Sequence, residues 1–176
     1  MPSPPVVGFA AYSGSGKTTL ARRVIELLSA RGVRLGVVKH AHHDFDVDQP
    51  GKDSYALRKA GAAQMLVSSR RRRALVTEVG SAPEPTLEEL VTELDTTLDL
   101  ILVEGFKYAE FPKIEVRRVG VDAPELAPSD PNIIAIVTDA HPDTTVSAGL
   151  PVLDLNAPEH VADFIVSRFL PAFRTA

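Results

Sequence analysis

The stretch Ala11-Tyr12-Ser13-Gly14-Ser15-Gly16-Lys17-Thr18-Thr19 has the residue types and spacing of a loop that grips a phosphate chain. Gly14 and Gly16 let backbone N–H groups turn inward around an anion. Lys17 supplies a mobile cation for the terminal phosphates, and the Thr18 hydroxyl is an oxygen ligand for Mg²⁺. Ser13, Ser15 and Thr19 complete the cradle. Ala11 stands where such loops ordinarily carry their first glycine. That position closes the preceding strand, where no left-handed backbone is needed. A second candidate lies in Leu98-Asp99-Leu100-Ile101-Leu102-Val103-Glu104-Gly105, an apolar run ending in a carboxylate. This is the layout that sets an acid beside Mg²⁺ in phosphate-transferring nucleotidases. Lys17 and Glu104 are therefore the candidate catalytic residues, and Thr18 and Glu104 candidate metal contacts. The extra methylene of Glu leaves open direct contact, contact through water, or orientation of the attacking water.

A third group follows the second apolar run: Lys39-His40-Ala41-His42-His43-Asp44-Phe45-Asp46-Val47-Asp48-Gln49-Pro50-Gly51-Lys52-Asp53-Ser54. Asp44, Asp46 and Asp48 are oxygen donors of the kind Mg²⁺ prefers. Asp48-Gln49-Pro50-Gly51 also has the Asp-x-x-Gly spacing of nucleotide-sensing switches, which makes Asp48 the third metal candidate. The histidines leave a zinc site open, and the whole segment also reads as a solvated polar loop. Arg58 and Lys59 read as surface residues, with Arg58 within conceivable reach of an anion. Arg70-Arg71-Arg72-Arg73 reads as a charged hairpin turn that discourages edge pairing. Lys107 faces either the phosphates or solvent. Asp139, just past an apolar strand, can accept the donors of a guanine edge. The Lys that usually precedes such an Asp by two positions is replaced by Val137, so spacing alone does not separate GTP from ATP.

These residues must be held by a regular scaffold, and the pattern supplies one. Strand signals lie at Val6–Ala11, Arg34–Lys39, Met65–Ser69, Ala74–Glu78, Leu98–Glu104, Lys113–Arg118, Ile133–Thr138 and Pro151–Leu155. Several are continuous Val, Ile and Leu runs that suit strands covered on both faces. Helical patterns fill the gaps. Lys17–Arg31 carries Leu20, Val24, Leu27 and Leu28 at spacings of three and four, with Gly32 placed to end it. Asp53–Ala60 stops at Gly61, Thr86–Leu94 opens with a capping-box spacing, and Pro158–Leu170 ends before Pro171. The alternation predicts an α/β fold of the P-loop NTPase type: three layers, with a mostly parallel, partly mixed sheet between helices. At 176 residues one domain covering the whole chain is expected. Gly80–Pro85 and Asp122–Pro131 read as surface connections.

Composition narrows the function class. A net charge of −4 argues against a nucleic-acid or membrane-surface binder. The chain has no cysteine, which excludes disulfides, thiolate chemistry and Cys-based metal sites. Met1-Pro2-Ser3-Pro4-Pro5 runs straight into the first strand, and no apolar stretch is long enough to span a bilayer. A cytoplasmic protein is the expectation.

With those residues laid out, the chain resembles the MobB family, the molybdopterin-guanine dinucleotide biosynthesis adaptor proteins, over nearly its whole length. The resemblance is carried by Ala10 through Leu20, by Lys39-His40-Ala41-His42-His43-Asp44 through Lys52-Asp53-Ser54, by Arg58-Lys59-Ala60-Gly61-Ala62 and by Leu100 through Lys107. Ala11 at the first loop position fits that family. The resemblance implies a homodimeric GTP-binding protein with weak Mg²⁺-dependent GTPase activity in bacterial molybdenum cofactor synthesis. It implies a MobA-type guanylyltransferase as partner, with delivery of nucleotide or molybdopterin toward molybdoenzymes. By matching position, Gly14, Gly16, Lys17, Thr18 and Thr19 bind phosphate, and Thr18 with Glu104 lies near Mg²⁺. Asp44, Asp46 and Asp48 stay unassigned individually, and Asp139 is the guanine contact. The alternatives are a P-loop small-molecule kinase and a metallochaperone GTPase using His40, His42 and His43.

Overall fold

The computed structural model describes residues 3–41, 45–141 and 149–170. Its contacts fall into two compact units, residues 1–40 with 87–176 and residues 41–86. The even alternation of strand and helix signals does not announce that division.

The first unit holds β1 (Val6–Ala10), α1 (Lys17–Ala30), β2 (Leu35–Lys39), α3 (Leu87–Thr92), β5 (Leu100–Glu104), β6 (Lys113–Arg117), β7 (Ile133–Thr138), β8 (Val152–Asp154) and α4 (Pro158–Phe169). The second holds α2 (Asp53–Lys59), β3 (Gln64–Ser68) and β4 (Arg73–Thr77). The six-stranded sheet of the first unit runs β2-β5-β1-β6-β7-β8, and each of its pairings is parallel. The antiparallel component is segregated into the β3–β4 hairpin. In an all-parallel sheet every strand ends at the same edge. Ala10, Lys39, Glu104, Arg117 and Thr138 therefore close their strands on one side, where ligands of such sheets bind.

Strand period sorts the core. Leu100 and Leu102 point to one face with Val7, Phe9, Ile114, Val116, Ala135 and Val137. There they meet Leu20, Val24 and Leu28 of α1, spaced four apart, and Val161, Ala162, Ile165 and Val166 of α4. Ile101 and Val103 point the other way, to Val38, Leu87 and Phe111, with Leu90, Val91 and Leu94 packed around them. Three layers follow. Strand β6 is the exception to the apolar rule, with Lys113 and Glu115 fully buried on one face. Loops rather than a helix cover that face, so their backbone groups need partners. Lys113 Nζ donates to the Lys107 and Ala109 carbonyls at 2.9 and 2.7 Å and pairs with Asp130 at 2.6 Å. Glu115 accepts the Leu126 and Ala127 N–H groups at 2.8 and 2.9 Å. These two buried charges tie the loops on either side of β6 to the sheet.

In the second unit β3 and β4 pair with Leu66 opposite Leu75 and Met65 opposite Val76. Ser69–Arg72 forms the turn, its Ser69 N–H donating to the Arg72 carbonyl at 2.8 Å, so the arginine run is a hairpin turn as its sequence predicts. Arg58 departs from expectation. It is the one buried residue among the described residues of this unit, because three carboxylates surround it.

Candidate functional site

Strand β1 ends at Ala10 and the chain turns through residues 11–16 into α1. Gly14 and Gly16 both take φ +84°, the left-handed conformation that glycine adopts without penalty. Ala11 is not among the positive-φ residues, so alanine is accommodated as expected. The loop braces itself through Ser15, whose buried hydroxyl donates to the Tyr12 carbonyl at 2.7 Å; Ser13 and Gly14 are exposed at its rim. Gly16 is the N-cap of α1, no side chain caps the helix, and its first turn carries no acid. The opening N–H groups and the positive end of the helix dipole therefore face the loop's concavity, a site suited to an anion.

The carboxylate arrives from β5. Because β5 lies between β1 and β2, Glu104 meets residues from both neighbours. Its Oε1 accepts the Thr18 hydroxyl at 2.9 Å and the Lys39 ammonium at 3.0 Å, with Lys17 Nζ at 3.7 Å. Partial burial pushes the Glu104 carboxyl up, but hydrogen bonds from Lys39 and Thr18 and the charges of Lys39 and Lys17 outweigh it. The group sits below the ordinary carboxylate value and is ionised at neutral pH. The turn behind it is fixed: Gly105 has φ +105°, and a Cβ there would lie 2.5 Å from His40 Cβ. His40 N–H donates to the Glu104 carbonyl at 2.8 Å, and its ring stacks on Phe106 at 4.6 Å. Phe106 itself, at φ 49°, is the single non-glycine residue with positive φ among the described residues.

Thr18 and Glu104 thus meet as the sequence predicts, with two hard oxygen donors 2.9 Å apart. That separation matches adjacent ligands of an octahedral ion whose bonds are about 2.0–2.1 Å, and Mg²⁺ is ordinarily held by one or two protein oxygens plus phosphates and water. The donor set fits the ion. Lys39 is the contact that sequence reasoning missed. It lies directly across the β2–β5 register from Glu104, a juxtaposition visible only once strand order is known.

The remaining candidates are placed differently. Lys107 resolves toward the loop, its Nζ 3.8 Å from the Tyr12 ring centroid and 4.8 Å from that of Tyr108. Asp139 follows β7, and its Oδ1 accepts the Val119 N–H at 2.8 Å. Asp48, in the second unit, accepts Ser54 Oγ at 2.9 Å and the Gln49 N–H at 3.0 Å. Asp46 takes two 2.6 Å hydrogen bonds from Arg58 Nη2, and Glu78 takes one of 2.6 Å from Nη1. Arg58 is therefore committed within its own unit rather than lying free on the surface. His42, His43 and Asp44 lie outside the described residues.

The family model described as "Molybdopterin guanine dinucleotide synthesis protein B" matches residues 6–139. The molybdopterin-guanine dinucleotide biosynthesis adapter protein of Escherichia coli (strain K12) is 50% identical over 164 residues, covering 92% of this chain and 91% of that protein. The Haemophilus influenzae protein of the same name is 40% identical over 163 residues, covering 92% and 87%. A crystal structure of Bacillus subtilis MobB superposes with a TM-score of 0.71 at 30% identity, covering 94% of this chain and 98% of that one. The shared architecture bears out the expected α/β fold, and the chain belongs to the molybdopterin-guanine dinucleotide synthesis protein B (MobB) family.

Proposed function

We propose that the chain is a Mg²⁺-dependent GTP-binding adapter of molybdopterin-guanine dinucleotide biosynthesis, acting in the cytoplasm as one nucleotide-binding domain with slow intrinsic GTPase activity. The observation that carries this reading is the meeting of Thr18 and Glu104 beside the uncapped start of α1. The adapter names of the relatives support a role beside a MobA-type guanylyltransferase. No helix among the described residues is long and apolar enough to cross a membrane.

In this reading the loop amides and Ser13 through Thr19 hold the phosphate chain, and Lys17 leaves Glu104 for the terminal phosphates. Thr18 and Glu104 hold the magnesium ion, which when bound neutralises charge on the phosphates. Glu104, kept ionised by Lys39, also orients water for in-line attack. An arginine in trans is worth about 10³–10⁵ in rate, and Arg58 is engaged by Asp46 and Glu78. A partner is therefore expected to raise turnover. The second unit supports homodimerisation: Leu66 and Leu75 face each other across the hairpin at 60% and 55% exposure, an apolar surface suited to a second copy.

Competition between GTP and ATP, with and without Mg²⁺, tests the reading directly. GTP binding that requires Mg²⁺ and falls about a hundredfold in Lys17→Ala is expected from loss of a charged phosphate contact. Wild-type affinity in that variant would overturn it.

A further inference from the structure

Two consecutive arginines leave β6, and they are held in opposite ways. Arg117 is fixed: Nη2 lies 2.9 Å from Glu115 Oε2 and Nη1 2.9 Å from Glu125 Oε1. Arg118 is 48% exposed, and its Nε is 3.6 Å from Asp139 Oδ2, beyond hydrogen-bond distance. Such a half-solvated pair contributes little stability and is readily exchanged. Yet Arg118 does not extend into open solvent. A Cβ on Gly16 would lie 3.4 Å from its Nη1 and 4.0 Å from its Cζ, so the guanidinium lies against the N-cap of α1. A cation at the positive end of a helix opposes the macrodipole, and here Lys17 follows immediately. The arrangement becomes favourable when an anion lies between these positive groups. Arg118 also lines a cavity of about 200 Å³ beside the loop, together with Tyr12, Ser15, Val121, Thr138 and Ala140 among others; Thr138 and Ala140 bracket Asp139 in the chain.

We infer that Arg118 is a ligand of the nucleotide's phosphate chain, and that it exchanges the Asp139 carboxylate for phosphate oxygens, leaving Asp139 Oδ2 to the base edge. The inference rests on the nucleotide reading of the cradle given above. The guanidinium fork matches phosphate geometry better than a point charge does. Asp139 stays positioned through the exchange, because Val119 N–H holds its other oxygen. Phosphate binding and base reading are coupled in this way through one side chain.

The test measures affinities of the full-length protein for GTP and for ITP, which keeps the triphosphate but lacks the exocyclic amine of guanine, in the wild type and in Arg118→Ala, Arg118→Lys and Asp139→Asn. Arg118→Ala should weaken both nucleotides by about tenfold or more and by the same factor, with Arg118→Lys recovering part of the loss. Asp139→Asn, whose amide oxygen can still accept from Val119, should instead reduce the preference for GTP over ITP. Unchanged affinity in Arg118→Ala overturns the inference. So does a loss of GTP preference that copies Asp139→Asn, which would make Arg118 a support for Asp139 and no phosphate ligand. A wild-type protein that binds neither nucleotide overturns the nucleotide reading itself, a result distinct from both.

Discussion

The two units of this chain are stabilised by different physics. In the first, Leu28, Leu100, Ile101, Ile114, Ile136 and Ile165 are fully buried, each contributing about 1.5–3 kcal/mol by leaving water. In the second, every described apolar side chain keeps contact with solvent, and the buried residue is Arg58, gripped by Asp46 and Glu78. A sheet with two dry faces holds its strand ends rigidly, which a catalytic edge requires. A hairpin and one helix arranged around a guanidinium cannot supply that rigidity alone, since a two-stranded ribbon is marginal in water. The candidate catalytic residues Lys17 and Glu104 lie in the first unit, and the exposed Leu66 and Leu75 of the hairpin lie in the second. The proposed chemistry and the proposed association thus draw on separate units of the chain.

The sharpest way to break this contrast is to remove core from the first unit. Leu100→Ala, at a position with no exposure, should cost about 2–5 kcal/mol of global stability, read from denaturant midpoints. A cost below about 1 kcal/mol would mean that the sheet is not the stabilising element. Next in size is Arg58→Met, which keeps an apolar stem and removes the charge. It leaves Asp46 and Glu78 without their short hydrogen bonds, so amide exchange across residues 53–77 should quicken by about tenfold or more, while amides of β1 and β5 keep their protection. Equal loss in both units would show that the guanidinium cluster is no local keystone. Smaller still is the effect on folding of Leu66→Ser with Leu75→Ser. Exposed substitutions change stability by about 0.5 kcal/mol or less, yet these should shift a dimer toward monomer in sedimentation. An unchanged association state would remove the hairpin from the interface.

The same contrast explains what the sequence could and could not disclose. The loop at residues 11–19 and the acid of β5 are legible because each is contiguous: its chemistry and the strand that delivers it sit in one stretch of chain. The buried strands are legible for the same reason, as continuous apolar runs. Lys39 beside Glu104 and Arg118 over Gly16 are not legible, since each depends on which strand neighbours which in the β2-β5-β1-β6-β7-β8 order. In the sequence Arg58 reads as a surface residue, because charged side chains are almost never buried unless paired. Its partners Asp46 and Glu78 lie 12 and 20 residues away, outside any helical spacing. Lys113 and Glu115 are buried on the charged face of an alternating strand for a reason equally invisible locally, namely that loops cover that face.

The smallest expected effect is also the most specific to the second unit. Arg58's hydrogen bonds hold the Asp46 carboxyl below its ordinary value of 3.8, aided by the Asp48 N–H and opposed by desolvation. A carboxylate whose folded pKa is depressed stabilises its surroundings fully above the unfolded value, and that contribution fades as pH falls through the folded value. Protection of the α2 and β3 amides should therefore be level above about pH 5 and decline as the pH falls through and below 3.8. Glu104 and Asp130 are depressed in the same direction, so the first unit feels acid too, but its apolar faces do not titrate and its core amides should hold longer. Asp46→Asn separates the two responses. It should lower protection of residues 53–68 at neutral pH and flatten their decline in acid, with the acid response of β1 and β5 unaltered. If the variant keeps the wild-type decline in residues 53–68, the Asp46 carboxylate is not the source of that unit's acid sensitivity and is a bystander to Arg58.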